Sequence, residues 1–189
     1  MKKLIVIFLT ILAISSCQSS QTNQTSSTDN QWQTVKVGNK YSLSLPSYLS
    51  KTTQLLEGAS LQYMNTVKEF YVIVLEESRA DVHKAISDND LTSTYSLNLK
   101  GYADLLCDAM ESKMENFKKT KITDTTINNL PAKLTTITGK VSDLDIFYSL
   151  AMIQGKTHYY QILSWTLANR ANTHKGDMTK IILSFKELK

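Results

Sequence analysis

The chain has 189 residues, with 21 Lys and Arg against 17 Asp and Glu and a formal charge of +4, and it carries only two cysteines, six glycines and two prolines. That composition excludes a disulfide-stapled scaffold and a glycine- or proline-rich fibrous chain. The basic stripe with interleaved aromatics that marks a nucleic-acid binder is missing as well.

Met1-Lys2-Lys3 makes a positive start, residues 4–14 are apolar except for Thr10, and Ser15-Ser16 run directly into Cys17. An eleven-residue stretch is too short to span a bilayer core, which takes about 20 apolar residues. Charged, apolar and small-residue regions make a secretory leader; an aliphatic residue and two small ones ending on cysteine make it a bacterial lipoprotein signal. Cleavage after Ser16 is therefore expected, with Cys17 as lipid acceptor and new N-terminus. Loss of Lys2 and Lys3 lowers the charge from +4 to +2. One acyl chain holds weakly and two or more hold firmly, so a permanent membrane anchor is expected. The absence of aspartate at Gln18 points to the outer membrane, facing the periplasm. With Cys17 acylated, Cys107 has no partner for a disulfide within the chain.

Residues 18–31 contain no aliphatic or aromatic residue. Such a segment cannot offset its ordering entropy by burial and is expected to be a tether. The predicted organisation is a signal peptide over 1–16, a lipidated cysteine and polar tether over 17–31, and one globular domain over 32–189, a length that suits a single core.

The domain opens with a predicted hairpin, Trp32–Val37 and 41–45 around Gly38-Asn39-Lys40, stopped by Pro46. Residues 60–66 and 69–77 read as a second strand pair, and Phe70-Tyr71-Val72-Ile73-Val74-Leu75 is apolar on both faces, as a central covered strand is. A short helix is expected over 79–87. Over 97–117 the period becomes helical: Leu99, Tyr102, Leu106, Met110, Met114 and Phe117 share one stripe, opposite Lys100, Asp104, Asp108, Glu111, Glu115 and Lys118. Cys107 falls on the shoulder of that stripe and reads as packing rather than a reactive thiol. Strands follow over 120–127, 132–140, 144–153 and 157–167, joined by Asn128-Asn129-Leu130-Pro131 and Gln154-Gly155-Lys156, turns short enough to make the strands antiparallel. Met178, Ile181, Ile182 and Phe185 mark a last helix beginning near Asn172 or Thr173. The fold class is thus α+β, an antiparallel β-sheet flanked by helices on both faces.

Several strings, Tyr41-Ser42-Leu43-Ser44-Leu45-Pro46, Ala59-Ser60-Leu61-Gln62-Tyr63, Tyr71-Val72-Ile73-Val74, Asn129-Leu130-Pro131-Ala132 and Tyr160-Gln161-Ile162-Leu163-Ser164-Trp165, together resemble PsbP-like lipoproteins of Bacteroidetes-type bacteria. The resemblance covers the body from Trp32 onward. It implies the PsbP-like α/β/α sandwich and, from other users of that fold, docking roles on photosystem II or a small GTPase. No functional motif of the family maps onto a position here.

Catalytic candidates are sparse. His83, His158 and His174 lie on three predicted elements without metal-ligand spacing, so surface or capping roles are expected. Asp143 and Asp145 flank Leu144 at a strand entrance, but two carboxylates without further oxygens make a weak calcium site; a turn is expected instead. Glu76 and Glu77 end an apolar strand where charge should meet solvent. No serine sits in a nucleophile elbow and no glycine-rich phosphate loop occurs. The expectation is no catalytic residue, no metal, no cofactor, no nucleic-acid partner and no enzyme. Trp165 is expected in the core and Trp32 as the exposed contact. Two functions fit this pattern: a lipid-anchored, non-catalytic module docking onto another envelope protein, or a carrier of a small apolar ligand in a pocket between the sheet and the long helix, lined by Tyr102, Met110 and Met114.

Overall fold

A computed structural model describes residues 31–188; the signal peptide, Cys17 and nearly all of the tether lie outside them. The expected hairpin forms from β1 (Trp32–Val37) and β2 (Tyr41–Pro46), paired antiparallel from Trp32↔Pro46 to Val37↔Tyr41. It stands apart from the main sheet. The second edge of β2 takes the short strand β11 (Lys186–Glu187), which closes a three-stranded sheet in the order β1-β2-β11.

The large sheet comprises β3 (Ser50–Lys51), β4 (Leu61–Asn65), β5 (Phe70–Ser78), β6 (Glu115–Lys119), β7 (Thr123–Ile127), β8 (Leu130–Val141), β9 (Leu144–Gln154) and β10 (His158–Leu167). Its order is β3-β4-β5-β10-β9-β8-β6, with β7 sharing the edge of β8, and every pairing is antiparallel. Among the described residues three α-helices, α1 (Arg79–Asp88), α2 (Leu99–Glu111) and α3 (Ala171–Leu183), and a 3-10 turn over Ala168–Arg170 complete the body.

Alternation along β5, β9 and β10 sends apolar side chains to both faces. On one face Ile73, Leu150, Met152, Tyr159 and Leu163 pack against Val82 and Ile86 of α1 and Tyr102, Leu106, Cys107 and Met110 of α2. On the other, Phe70, Val72, Val74, Ala151, Ile153 and Ile162 pack against Met178, Ile181 and Ile182 of α3 and Tyr41, Leu43 and Leu45 of the hairpin. The architecture is therefore α+β, a large antiparallel sheet flanked by helices, with the small sheet sharing the α3 layer.

The long helix is shorter than its periodicity predicts. Asn98 caps it by accepting from the N–H groups of Lys100 and Gly101, and it stops at Glu111, with Asn116 at φ +52. Asparagine tolerates that left-handed backbone better than most residues. Met114 and Phe117 reach the same apolar layer from the β6 segment that they would have reached from a helix. Because burial is the same either way, the stripe could not distinguish the two. Phe185 likewise sits beyond α3, fully buried, in the turn before β11.

Candidate functional site

The densest group of polar side chains lies where β5 ends and β10 begins. Successive residues of a strand point to opposite faces, so Glu76 and Glu77, which lie opposite Tyr160 and Tyr159, diverge. Neither carboxylate simply meets solvent as the sequence implied. On the hairpin face, Lys40 Nζ lies 2.5 Å from Glu76 Oε1, and the Glu76 side chain is only 15% exposed. Its Oε2 is buried without a hydrogen-bond partner. Tyr41 Oη and Ser60 Oγ are 2.7 Å apart, while the Tyr160 hydroxyl donates to Glu187 Oε1 at 3.1 Å. Glu187 also accepts from the Lys156 backbone N–H at 3.1 and 3.2 Å. Gly155 makes this approach possible, since a Cβ there would lie 2.3 Å from Glu187 Oε1. Burial, and then the neighbouring Glu187, hold the Tyr160 hydroxyl well above its usual range; burial does the same to Tyr41.

On the α1/α2 face the Tyr102 hydroxyl donates to Glu77 Oε2 at 2.5 Å, and the Tyr102 ring stacks on Tyr159 at 4.5 Å. His83 Nε2 lies 3.0 Å from the Tyr159 hydroxyl. Arg79 places its guanidinium 5.6 Å above the Tyr159 ring and donates to the Lys156 carbonyl at 3.1 Å. Burial raises the Glu77 carboxyl above its ordinary value against the Tyr102 hydrogen bond. Burial and then Arg79 lower the His83 imidazole, and burial with Glu77 pushes Tyr102 far up. These groups engage one another across β5, β10, α1, α2 and the C-terminal strand. What they do is fasten this end of the sheet, with tyrosines that stay protonated donors rather than nucleophiles.

His174 departs from its expected surface role. It is 4% exposed, stacks on Phe70 at 4.7 Å and lies 3.0 Å from the Lys68 carbonyl, holding the β4–β5 turn. His158 Nδ1 lies 2.9 Å from Thr157 Oγ1 at the mouth of β10. The three histidines are not brought together, and among the described residues no group of three or more His, Cys, Asp or Glu stands close enough to hold a metal ion. Asp143 belongs to the tight β8–β9 turn, at φ +67, and Asp145 is an exposed strand residue. Cys107 is fully buried, and burial pushes its thiol up to about 11.

The aromatic residues rearrange the expected contact surface. Trp32 is half-buried, with Lys180 Nζ 5.7 Å from its ring. Trp165, expected in the core, is only partly covered. It stands in one row across four strands, Met64↔Tyr71↔Trp165↔Tyr148, on the face that α1 and α2 cover further along. Tyr71 stacks on Trp165 at 5.2 Å and 14°, Tyr148 follows at 6.2 Å, and Met64, Tyr71 and Trp165 all remain partly exposed. The sequence could not show this row, because it depends on register between distant strands.

At the sheet–α2 interface Tyr102 is fully buried and Met110 4% exposed, while Met114 lies beyond the helix and is only partly buried. An open groove of about 430 Å³ lies beside α3, between Ile182 and Leu183 and the hydroxyl-bearing Thr120, Thr136 and Ser149.

No protein-family model matches the sequence, and no curated protein is similar to it. Solved structures are. The solution structure of cyanobacterial PsbP from Synechocystis superposes with a TM-score of 0.55 at 9% identity, over 89% of this chain and 98% of that one. LpqN of Mycobacterium tuberculosis superposes at 0.53, also at 9% identity, over 84% and 91%. At these superpositions and 9% identity the likeness is one of fold: the described residues resemble the PsbP-like α/β/α sandwich.

Proposed function

We propose that this is a lipid-anchored, non-catalytic protein of the cell envelope, a PsbP-like lipoprotein of the Bacteroidetes type, whose body docks onto another envelope protein. Residues 1–16 are its signal peptide, residues 17–31 the acylated Cys17 and tether, and 32–189 the docking domain, held at the outer membrane facing the periplasm. The observation that carries the reading is the row Met64, Tyr71, Trp165, Tyr148. Tyrosine and tryptophan dominate the energetics of protein interfaces, and here they lie stacked and partly uncovered. The densest group of titratable side chains, by contrast, lies at the opposite end of β5, where Glu77 meets Tyr102 and Glu76 meets Lys40. Among structures of this fold, LpqN is described as involved in cell envelope biogenesis, which suits an envelope role. Among the described residues no helix is long and apolar enough to cross a membrane.

Cross-linking in living cells followed by mass spectrometry tests the docking role. One envelope protein should be recovered reproducibly with the native chain. Trp165→Ala, at a position already partly exposed, should weaken that association roughly 30-fold, the scale of an interface hot spot. Recovery of no reproducible partner, or of the same partner undiminished from the Trp165 variant, contradicts the proposal.

A further inference from the structure

The small sheet ends on an open strand. Its order is β1-β2-β11, so among the described residues β1 has a partner strand on one side only. Bonds on either side of β2 fix which groups of β1 face outward. The Ser47 N–H donates to the Gln31 carbonyl at 2.8 Å, and the Leu188 N–H donates to the Lys40 carbonyl at 2.8 Å. Antiparallel pairs alternate between those that exchange hydrogen bonds and those that do not. In the register Trp32↔Pro46 it is therefore Gln33, Val35 and Val37 that bond β2, while Trp32, Thr34 and Lys36 turn their N–H and C=O groups away from it. Among the described residues no strand or turn takes up those outward groups. Most devices that blunt a sheet edge are missing as well: β1 has no proline, no register shift and no left-handed residue, and its one charge is Lys36. Thr34 and Lys36 are exposed, and Val35 and Val37, although they pack toward the core, stay only partly buried.

We infer that the open edge of β1 pairs with β1 of a second copy of this chain, antiparallel about a two-fold axis at Thr34, in the register 32↔36, 34↔34 and 36↔32. The outward groups select both the occupant and the register. They belong to residues 32, 34 and 36, a set symmetric about Thr34, so a two-fold operation pairs every one of them with its counterpart in about six backbone hydrogen bonds. The side chains agree with that register. Thr34 lies opposite Thr34, a pairing that stabilises adjacent strands through the hydroxyls. Lys36 lies opposite Trp32, where a cation is favoured against an indole. The two Lys36 stand roughly 14 Å apart, four residues along a strand, which exceeds the screening length of about 8 Å at physiological salt. The lysine that guards this edge against other strands thus never opposes itself. On the inner face the partly open Val35 lies opposite Gln33 and gains cover. Lys180 approaches Trp32 from α3, which bonds the far side of β2 through Ser184 and does not occupy the open edge. The product is a continuous sheet, β11-β2-β1 joined to its own copy, and the Tyr71–Trp165 row on the other face of the large sheet remains free. The pairing rests on neither the anchor nor the docking reading.

The test uses the chain from residue 17 onward with Cys17→Ser, so that lipidation plays no part and Cys107, fully buried, is the sole native thiol. In the inferred register the two Thr34 Cα atoms lie about 5.5 Å apart, within reach of a disulfide. Under mild oxidation Thr34→Cys should form a covalent dimer at least roughly tenfold faster than Lys36→Cys, whose copies meet only by collision. Sedimentation equilibrium of the Cys17→Ser chain should show monomer and dimer exchanging with concentration. Thr34→Pro, which removes an outward N–H and keeps every bond to β2, should weaken that association roughly tenfold. A chain that stays monomeric at every concentration, which would leave the edge to a strand of some other protein, overturns the inference. So does a Thr34→Pro chain that dimerises like the native one, or Lys36→Cys cross-linking as fast as Thr34→Cys.

Discussion

Tyr102 and Glu77 show how a carboxylate comes to lie inside this protein. The strand register aims Glu77 at α2, and Tyr102, fully buried, meets it with a short hydrogen bond. Removing the donor leaves a largely buried acceptor unsatisfied, so Tyr102→Phe should cost about 1–3 kcal/mol in denaturant unfolding. The pH dependence follows from the direction of the shift. Burial raises the folded-state pKa of Glu77 above its unfolded value, so the folded chain holds this proton more tightly and stability at this site grows as pH falls through the folded value. The advantage in melting temperature of the native chain over Glu77→Gln should therefore be larger at about pH 5 than at about pH 7; an advantage that shrinks on acidification contradicts the assignment. His174 works in the opposite sense. Burial lowers its pKa, so the unfolded chain takes that proton first and the contribution is present above the unfolded value and lost as pH falls. His174→Gln should remove that loss in the same melts.

At the scale of elements, the turn expected over Asn128-Asn129-Leu130-Pro131 is present but shorter, because Leu130 and Pro131 already pair in β8 with Ile127 and Thr126. Asn128-Asn129 joins β7 to β8 as a two-residue hairpin turn with both φ positive, +47 and +68, which asparagine accommodates. Asn128 also donates to the Phe185 carbonyl at 2.6 Å, tying that turn to the end of α3. Asn129→Gly should leave stability nearly unchanged, whereas Asn129→Val should lose roughly 1–2 kcal/mol to the left-handed backbone, measured by urea unfolding. Equal losses would mean that the turn does not hold this conformation. The β5 run showed its two-sided burial directly in composition. What stayed illegible had physical reasons. Met114 and Phe117 satisfy a helical stripe and the β6 segment equally well, and β11 is two residues whose pairing with β2 no local pattern announces. Glu76, Glu77 and His174 looked solvent-facing because their partners Lys40, Tyr102 and Lys68 are remote in sequence. The row from Met64 to Tyr148 was illegible for the same reason, since four strands must be in register before it exists.

On the scale of the whole molecule, the body is polarised along its strands. One end is fastened by the glutamate–tyrosine groups and the C-terminal strand. The other carries the β4–β5 turn, held by Arg170 and His174, and, on the α1/α2 face, the partly open aromatic row. The proposed docking role uses this division, with the polar groups tied up at one end and the aromatic row uncovered at the other. Its place at the membrane depends on Cys17. The most direct measurement is therefore the mass of the N-terminal peptide of the protein isolated from the membranes of its own cells. The account predicts a peptide beginning at Cys17 and carrying two or three fatty acyl chains, absent when Cys17→Ser is expressed and the protein leaves the membrane fraction. A peptide beginning at Met1, or an unmodified Cys17 in soluble protein, would contradict it.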